Sequence, residues 1–241
     1  MKAWLEQPRV GTILALDHPA TVEIARDAGW DWLWLDAEHG RFNERSAADA
    51  CAITQPSVPT FIRVPDRSET TLKRYLDAGA DGIIVPQVSS VEEVQAIVKA
   101  ALYPPAGQRS VGVARAHAYS KRFNEYLQQR RYALVIQIET LAGVAAASDI
   151  VQESSVDAVI IGPYDLSGSY GVPGDVTCDQ VQDAIARVLA ACQKAGKPCG
   201  IFATTADSAR MYMHQGFRLI AVGIDAANFA ATQFALRQSL L

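Results

Sequence analysis

The sequence predicts a single (β/α)8 barrel, a TIM barrel, occupying residues 1–241 as one catalytic domain. Three observations lead there. Short apolar runs alternate with longer helical segments eight times. Several of those helices close on a glycine (Gly29, Gly79, Gly196, Gly216), the usual residue just past a helix C-terminus. The polar residues Asp17, Asp36, Arg63, Gln87, Glu139, Asp165 and Asp225 all fall at or just beyond a strand's C-terminal end. Eight strand-then-helix units in about 250 residues is the arithmetic of this barrel, and its active sites form at that end. An open doubly wound sheet competes, but no G-x-G-x-x-G follows the first strand.

The elements follow in order. Val10 to Leu16 is the first strand, ended by Asp17-His18-Pro19, and Ala20 to Ala28 is helical. Trp32 to Asp36 is the second strand, followed by a helix from Asn43 to Thr54. Thr60 to Val64 is the third, stopped by Pro65, and Ser68 caps a helix to Ala78. Gly82 to Val85 is the fourth. Its helix, Val91 to Leu102, carries Val91, Val94, Ile97, Val98 and Ala101 on one stripe. Tyr103 to Arg131 reads as a long irregular insertion, and such insertions are often functional. The fifth strand starts at Leu134, with a helix to about Ser154, and Ala158 to Ile161 is the sixth. Helix Val181–Ala195, strand Cys199–Phe202, helix Asp207–Gln215, strand Leu219–Val222 and helix Ala226–Leu240 complete the chain.

The net charge of −4 gives no reason to expect nucleic acid or an anionic membrane as partner. Cys51, Cys178, Cys192 and Cys199 form no C-x-x-C pair and read as reduced thiols of a cytoplasmic protein. The segment from Met1 to Glu6 lacks the apolar core of a signal peptide, and no later run is long enough to span a bilayer. The last helix has few charges, whereas a surface helix normally turns a charged face to water. It is therefore expected in the interface of a homo-oligomer.

The chemistry begins in Leu134–Thr140, where side-chain alternation puts Val135, Gln137 and Glu139 on one strand face. A buried carboxylate needs a cation beside it, so Glu139 is expected against a metal or an arginine. With Asp165, at the next strand end, it could hold one hard divalent ion: Mg²⁺, Mn²⁺ or Co²⁺. Asp36 and His39 share a loop, where a carboxylate can orient an imidazole as a base. Arg63 offers planar donors for an oxyanion. Each also has a plainer reading: Asp36 and Asp165 as helix caps, Arg63 in a structural ion pair, His39 in solvent. His214 reads as structural, His117 is undecided, and Trp30, Trp32 and Trp34 read as packing.

The stretches Leu35–Gly40 (LDAEHG), Ile62–Pro65 (IRVP), Ala78–Gly82 (AGADG), Tyr103–Gly107 (YPPAG), Val135–Thr140 (VIQIET) and Gly162–Ser167 (GPYDLS) together resemble the HpcH/HpaI aldolase family. The resemblance runs from about Gly11 to Ala230. It implies a metal-dependent pyruvate aldolase of aromatic- or sugar-acid catabolism, assembled as a hexamer that exchanges its last helix. Such an enzyme cleaves 4-hydroxy-2-oxoacids to pyruvate, or a related 2-oxoacid such as hydroxypyruvate, and an aldehyde through a metal-stabilised enolate. Carried over, the resemblance makes Glu139 and Asp165 the metal ligands and sets Gln137 beside the pyruvyl group. His39, oriented by Asp36, becomes the base, and Arg63 the partner of the enolate oxygen. The turn of Gly162, Pro163, Tyr164, Asp165 and Leu166 would hold the carboxylate, with Phe202 nearby; Arg115, His117, Tyr119 and Lys121 are candidates for the aldehyde pocket. The partners are then small 2-oxoacids and aldehydes. Another enolate-forming C–C lyase, or a 2-oxoacid decarboxylase, would share the metal and Arg63. A silent barrel scaffold has no reason to keep the whole set.

Overall fold

The structure, a computed structural model, describes residues 2–240. Its eight strands are β1 (Arg9–Leu14), β2 (Trp32–Asp36), β3 (Thr60–Arg63), β4 (Gly82–Val85), β5 (Ala133–Ile138), β6 (Ala158–Ile161), β7 (Cys199–Ala203) and β8 (Leu219–Ile224). All pair in parallel in sequence order, and β8 returns to β1 to close the barrel. The helices are α1 (Pro19–Asp27), α2 (Glu44–Thr54), α3 (Glu69–Asp77), α4 (Val91–Ala101), α5 (Phe123–Gln128), α6 (Leu141–Ile150), α7 (Pro163–Ser169), α8 (Asp179–Lys194), α9 (Ala206–Gln215) and α10 (Asp225–Gln238).

Side-chain alternation divides the strands between two cores. Leu33, Leu35, Ile62, Ile83, Leu134, Ile136 and Val159 face outward, against the buried stripes of the helices. Ile13, Trp32, Trp34, Phe61, Ile84, Val135 and Ile160 fill the barrel itself, plugged from below by Leu5 on a short 3-10 turn, Lys2–Glu6. Large and small residues interlock there. A Cβ on Gly11 would sit 2.3 Å from the Trp32 carbonyl oxygen, and one on Gly82 would sit 2.8 Å from the Phe61 ring.

The observed elements differ from the predicted ones where polar groups intervene. β1 stops at Leu14 because the next two amides leave the ladder: Ala15 and Leu16 donate to the Asp225 carboxylate at 2.8 and 3.1 Å. Asp225 thus ties β1 to the start of α10. The insertion predicted as irregular holds a 3-10 turn, Arg115–His117, and the six-residue α5. It is anchored by Arg109, which is fully buried, pairs with Asp77 at 2.5 Å and lies 4.6 Å from the Tyr103 ring. The turn Gly162–Ser167 is largely helix, with Pro163 at the first position of α7, where its missing N–H costs nothing.

α10 has no buried residue: Phe229, Phe234 and Leu236 are 62, 68 and 59% exposed. Among the described residues no helix is long and apolar enough to cross a membrane.

Candidate active site

The register of two neighbouring strands builds the first half of the site. Asp36 and Arg63 end β2 and β3 opposite one another. Arg63 Nε donates to Asp36 Oδ1 at 2.9 Å and Nη2 donates to Oδ2 at 2.7 Å, a bidentate pair. Its Nη1 lies 3.1 Å from Glu38 Oε2, and its guanidinium lies 5.2 Å from the Trp34 ring. Burial works against the Arg63 charge, but the bond to Asp36 and the charges of Asp36, Glu38 and Glu139 hold its pKa above the ordinary value.

Asp36 does not orient the His39 ring, contrary to the expectation from spacing. Its Oδ1 accepts the backbone N–H of Glu38 at 3.1 Å and of His39 at 3.2 Å, so it shapes the loop. The carboxylate beside the imidazole belongs to Glu38, whose Oε2 is 3.6 Å from His39 Nε2. The His39 side chain is 63% exposed and lines the cavity rim. Burial raises the Glu38 pKa, while Arg63 opposes the rise. Sequence reasoning passed over Glu38, although it sits between the two residues singled out.

β5 supplies the second half. Gln137 and Glu139 share its inward face, and Gln137 Nε2 donates to Glu139 Oε2. Glu139 Oε1 accepts the N–H of Gln87 at 2.9 Å, and Gln87 takes a left-handed φ of 56° there. Burial first, and the charge of Asp165 second, push the Glu139 carboxyl up to about 7. Asp165 stands in the first turn of α7, at the neighbouring strand end. Gly162 lies between them: a Cβ there would come within 2.3 Å of Glu139 Oε2 and 2.8 Å of Gln137 Nε2.

These pieces surround a cavity of about 410 Å³ at the C-terminal end of the strands. His39, Arg63, Gln137, Gly162, Pro163, Tyr164, Asp165 and Phe202, all site candidates from the sequence, line it, and Glu139 lies against Gly162 and Gln137. Leu166 does not; it is fully buried in the helix–sheet core. Trp34, Thr204 and Asn228 line the cavity and were missed. Trp34 was assigned to packing, and nothing local marks the other two.

Arg115, His117, Tyr119 and Lys121 are at the other end. Arg115 Nη1 bonds Gln55 Oε1 and the Ala78 carbonyl, which precede β3 and β4. Their connection follows a helix and enters a strand, so it must lie at the strands' N-terminal ends.

The donor set fits a hard divalent cation. Asp36, Glu38, Glu139 and Asp165 outnumber the charge of Arg63, and burial first, with the charge of Asp165 second, raises Glu139. Among the described residues no three His, Cys, Asp or Glu side chains converge on one metal position. Mg²⁺ commonly takes only one or two protein carboxylates, with water and substrate oxygens completing the octahedron.

Residues 9–232 match the HpcH/HpaI aldolase/citrate lyase family. The chain is 36% identical over 221 residues to a 4-hydroxy-2-oxovalerate aldolase of Rhodococcus jostii, covering 90% of this chain and 85% of that one. It is 37% identical over 225 residues to a hydroxypyruvate/pyruvate aldolase of Pseudomonas aeruginosa, covering 91 and 83%. A crystal structure of a family protein from Burkholderia cenocepacia superimposes with a TM-score of 0.93 at 34% identity, over 100% of this chain and 98% of that one. The barrel, its carboxylate-rich rim and these likenesses agree, and the chain belongs to the HpcH/HpaI aldolase/citrate lyase family.

Proposed function

We propose that this protein is an aldolase that reversibly cleaves 4-hydroxy-2-oxoacids into pyruvate, or a close 2-oxoacid such as hydroxypyruvate, and an aldehyde. The observation that carries the reading is the meeting of Glu139, Asp165, Gln137 and Arg63 around one cavity. Glu139 and Asp165 would hold the divalent cation, which when bound supplies a Lewis acid for the keto oxygen.

The protein's own groups do the rest. Arg63, fixed by Asp36, faces the oxygen on which negative charge develops, and being already ordered it needs no reorganisation. His39 Nε2 moves the proton. During cleavage it takes one from the 4-hydroxyl as the C3–C4 bond breaks and returns it to C3 of the enolate, giving the pyruvate methyl. In the reverse direction it takes one from that methyl and delivers it to the aldehyde oxygen as the bond forms. Glu38 steadies the imidazolium so formed. Gln137 holds the pyruvyl group, and the first turn of α7 from Gly162 to Asp165 receives the carboxylate. The aldehyde portion then lies towards Tyr164 and Phe202, whose rings are 6.2 Å apart.

The four thiols are unpaired, as in a cytoplasmic protein. The exposed, weakly charged α10 suits burial against a second copy of the chain, in a homo-oligomer that is hexameric by resemblance. The deciding assay is pyruvate release from a panel of 4-hydroxy-2-oxoacids after chelation and re-addition of Mg²⁺, Mn²⁺ or Co²⁺. Release restored by a metal is expected; none from any substrate with any metal would overturn the reading.

A further inference from the structure

We propose that a second cavity, at the N-terminal end of the barrel and walled by Arg115, Arg122 and Arg131, binds a phosphate group, free or carried on a small molecule. The cavity, of about 460 Å³, lies among three successive helix-to-strand connections: residues 55–59 ahead of β3, 79–81 ahead of β4, and the long connection ahead of β5. It shares no lining residue with the catalytic cavity. A smaller hollow of about 330 Å³ continues it past Ala118 and Tyr119, again walled by Gln55, Arg115 and Arg122.

The charge in this cavity is only partly neutralised. Arg115 directs Nη1 at neutral oxygens, Gln55 Oε1 at 3.0 Å and the Ala78 carbonyl at 3.3 Å. The Arg122 guanidinium has no partner among the described residues. Arg131 pairs with Glu125, which stands outside the lining. The single lining carboxylate, Asp81, is already engaged: its Oδ2 accepts from Gln55 Nε2 and from the Thr60 N–H, each at 3.0 Å. Counted with Asp81 and with the Glu125 that pairs with Arg131, the three guanidiniums leave one net positive charge, carried on the side where Arg122 is unpartnered. Planar guanidinium forks suit the oxygens of phosphate better than a point charge would.

The backbone holds these arginines in place at a conformational cost. Ala118, Tyr119 and Ser120 take three successive left-handed conformations, with φ of 53, 51 and 83°. Residues with side chains adopt these only where the surroundings enforce them. The buried His117 does so here. Its Nδ1 accepts the Ser120 N–H at 3.1 Å, and its Nε2 lies 2.7 Å from the Gly112 carbonyl oxygen. The turn pinned in this way puts Arg115 and Arg122 in the wall of the same cavity. Room is kept at Gly79, where a Cβ would sit 2.5 Å from Arg115 Nη1.

Calorimetric titration of the whole protein with inorganic phosphate, at fixed ionic strength, tests the site. Saturable binding is expected, weakened roughly tenfold or more by Arg122→Ala, the effect of losing one charge-assisted contact. Arg122→Lys should fall between, and Arg210→Ala, on α9, should bind as the wild type does. Among the described residues the Arg122 guanidinium makes no hydrogen bond or ion pair, so a lost signal reports the site. A simple phosphate monoester titrated alongside separates free phosphate from a carried one. No saturable heat in the wild type, or equal binding by Arg122→Ala, as for an anion held at Arg63, would overturn the proposal. So would a change of oligomer size in Arg122→Glu without any phosphate binding, because the arginines would then serve a subunit contact.

Discussion

Glu139 shows how one residue's surroundings set its chemistry. Unfolded, its carboxyl titrates near the ordinary 4.5; folded and free of a cation, near about 7. The folded state therefore binds that proton more tightly than the unfolded state. This stability is fully present below about pH 4.5 and is lost as pH rises to about 7. Melting the chelated protein from about pH 5 to 8 should show the loss in the wild type and a flatter profile in Glu139→Gln. Added divalent cation should restore the wild type at the alkaline end and leave Glu139→Gln unmoved. Equal slopes in both proteins would place the titration elsewhere. His39 gives a second check, because its side chain makes few contacts that folding depends on. His39→Ala should lose roughly 10²–10⁴-fold in turnover while retaining cation binding. Deuterium uptake into the pyruvate methyl should slow in parallel, and undiminished uptake would mean another base.

At the scale of elements, strand ends were legible where an apolar run stops on a polar residue, as at Asp36, Arg63 and Glu139. What each polar residue does there was less legible. Asp225 looked like Asp165 in sequence, yet it caps the two amides that β1 leaves unpaired, a contact between residues some 210 apart. Glu38 went unnoticed because its importance comes from the side chains folded against it. α5 was missed because six residues are too few for a helical period to emerge. The start of α7 was read as a turn, and it carries a clear test. Gly162→Ala leaves an ordinary backbone, φ −97°, but pushes a methyl into Glu139 and Gln137. The barrel should stay folded by circular dichroism, while cation affinity and turnover both fall. An alanine variant with wild-type affinity would show that Glu139 has room to move.

Across the whole molecule, closure of the sheet in sequence order was readable from the count of units. The path of α10 was not, because one chain's pattern cannot say which surface covers a helix. The low charge that predicted a covered helix instead coincides with a helix that has no buried residue in the single chain. Truncation after Asp225 should therefore yield smaller or insoluble species, measured by size-exclusion with light scattering. An active full-length monomer at micromolar concentration would rule out the assembly.

The tryptophan beneath Arg63 has a practical consequence. Trp34 stacks on Trp32 at 6.1 Å, carries the guanidinium near its ring, and is the one tryptophan among the described residues to line the catalytic cavity. Its indole emission responds to the polarity and charge around it. A 2-oxoacid entering the cavity would change the polarity beside that ring and bring its keto oxygen towards the arginine above it. The protein thus carries its own optical gauge of occupancy, readable in unlabelled enzyme and before any bond is broken.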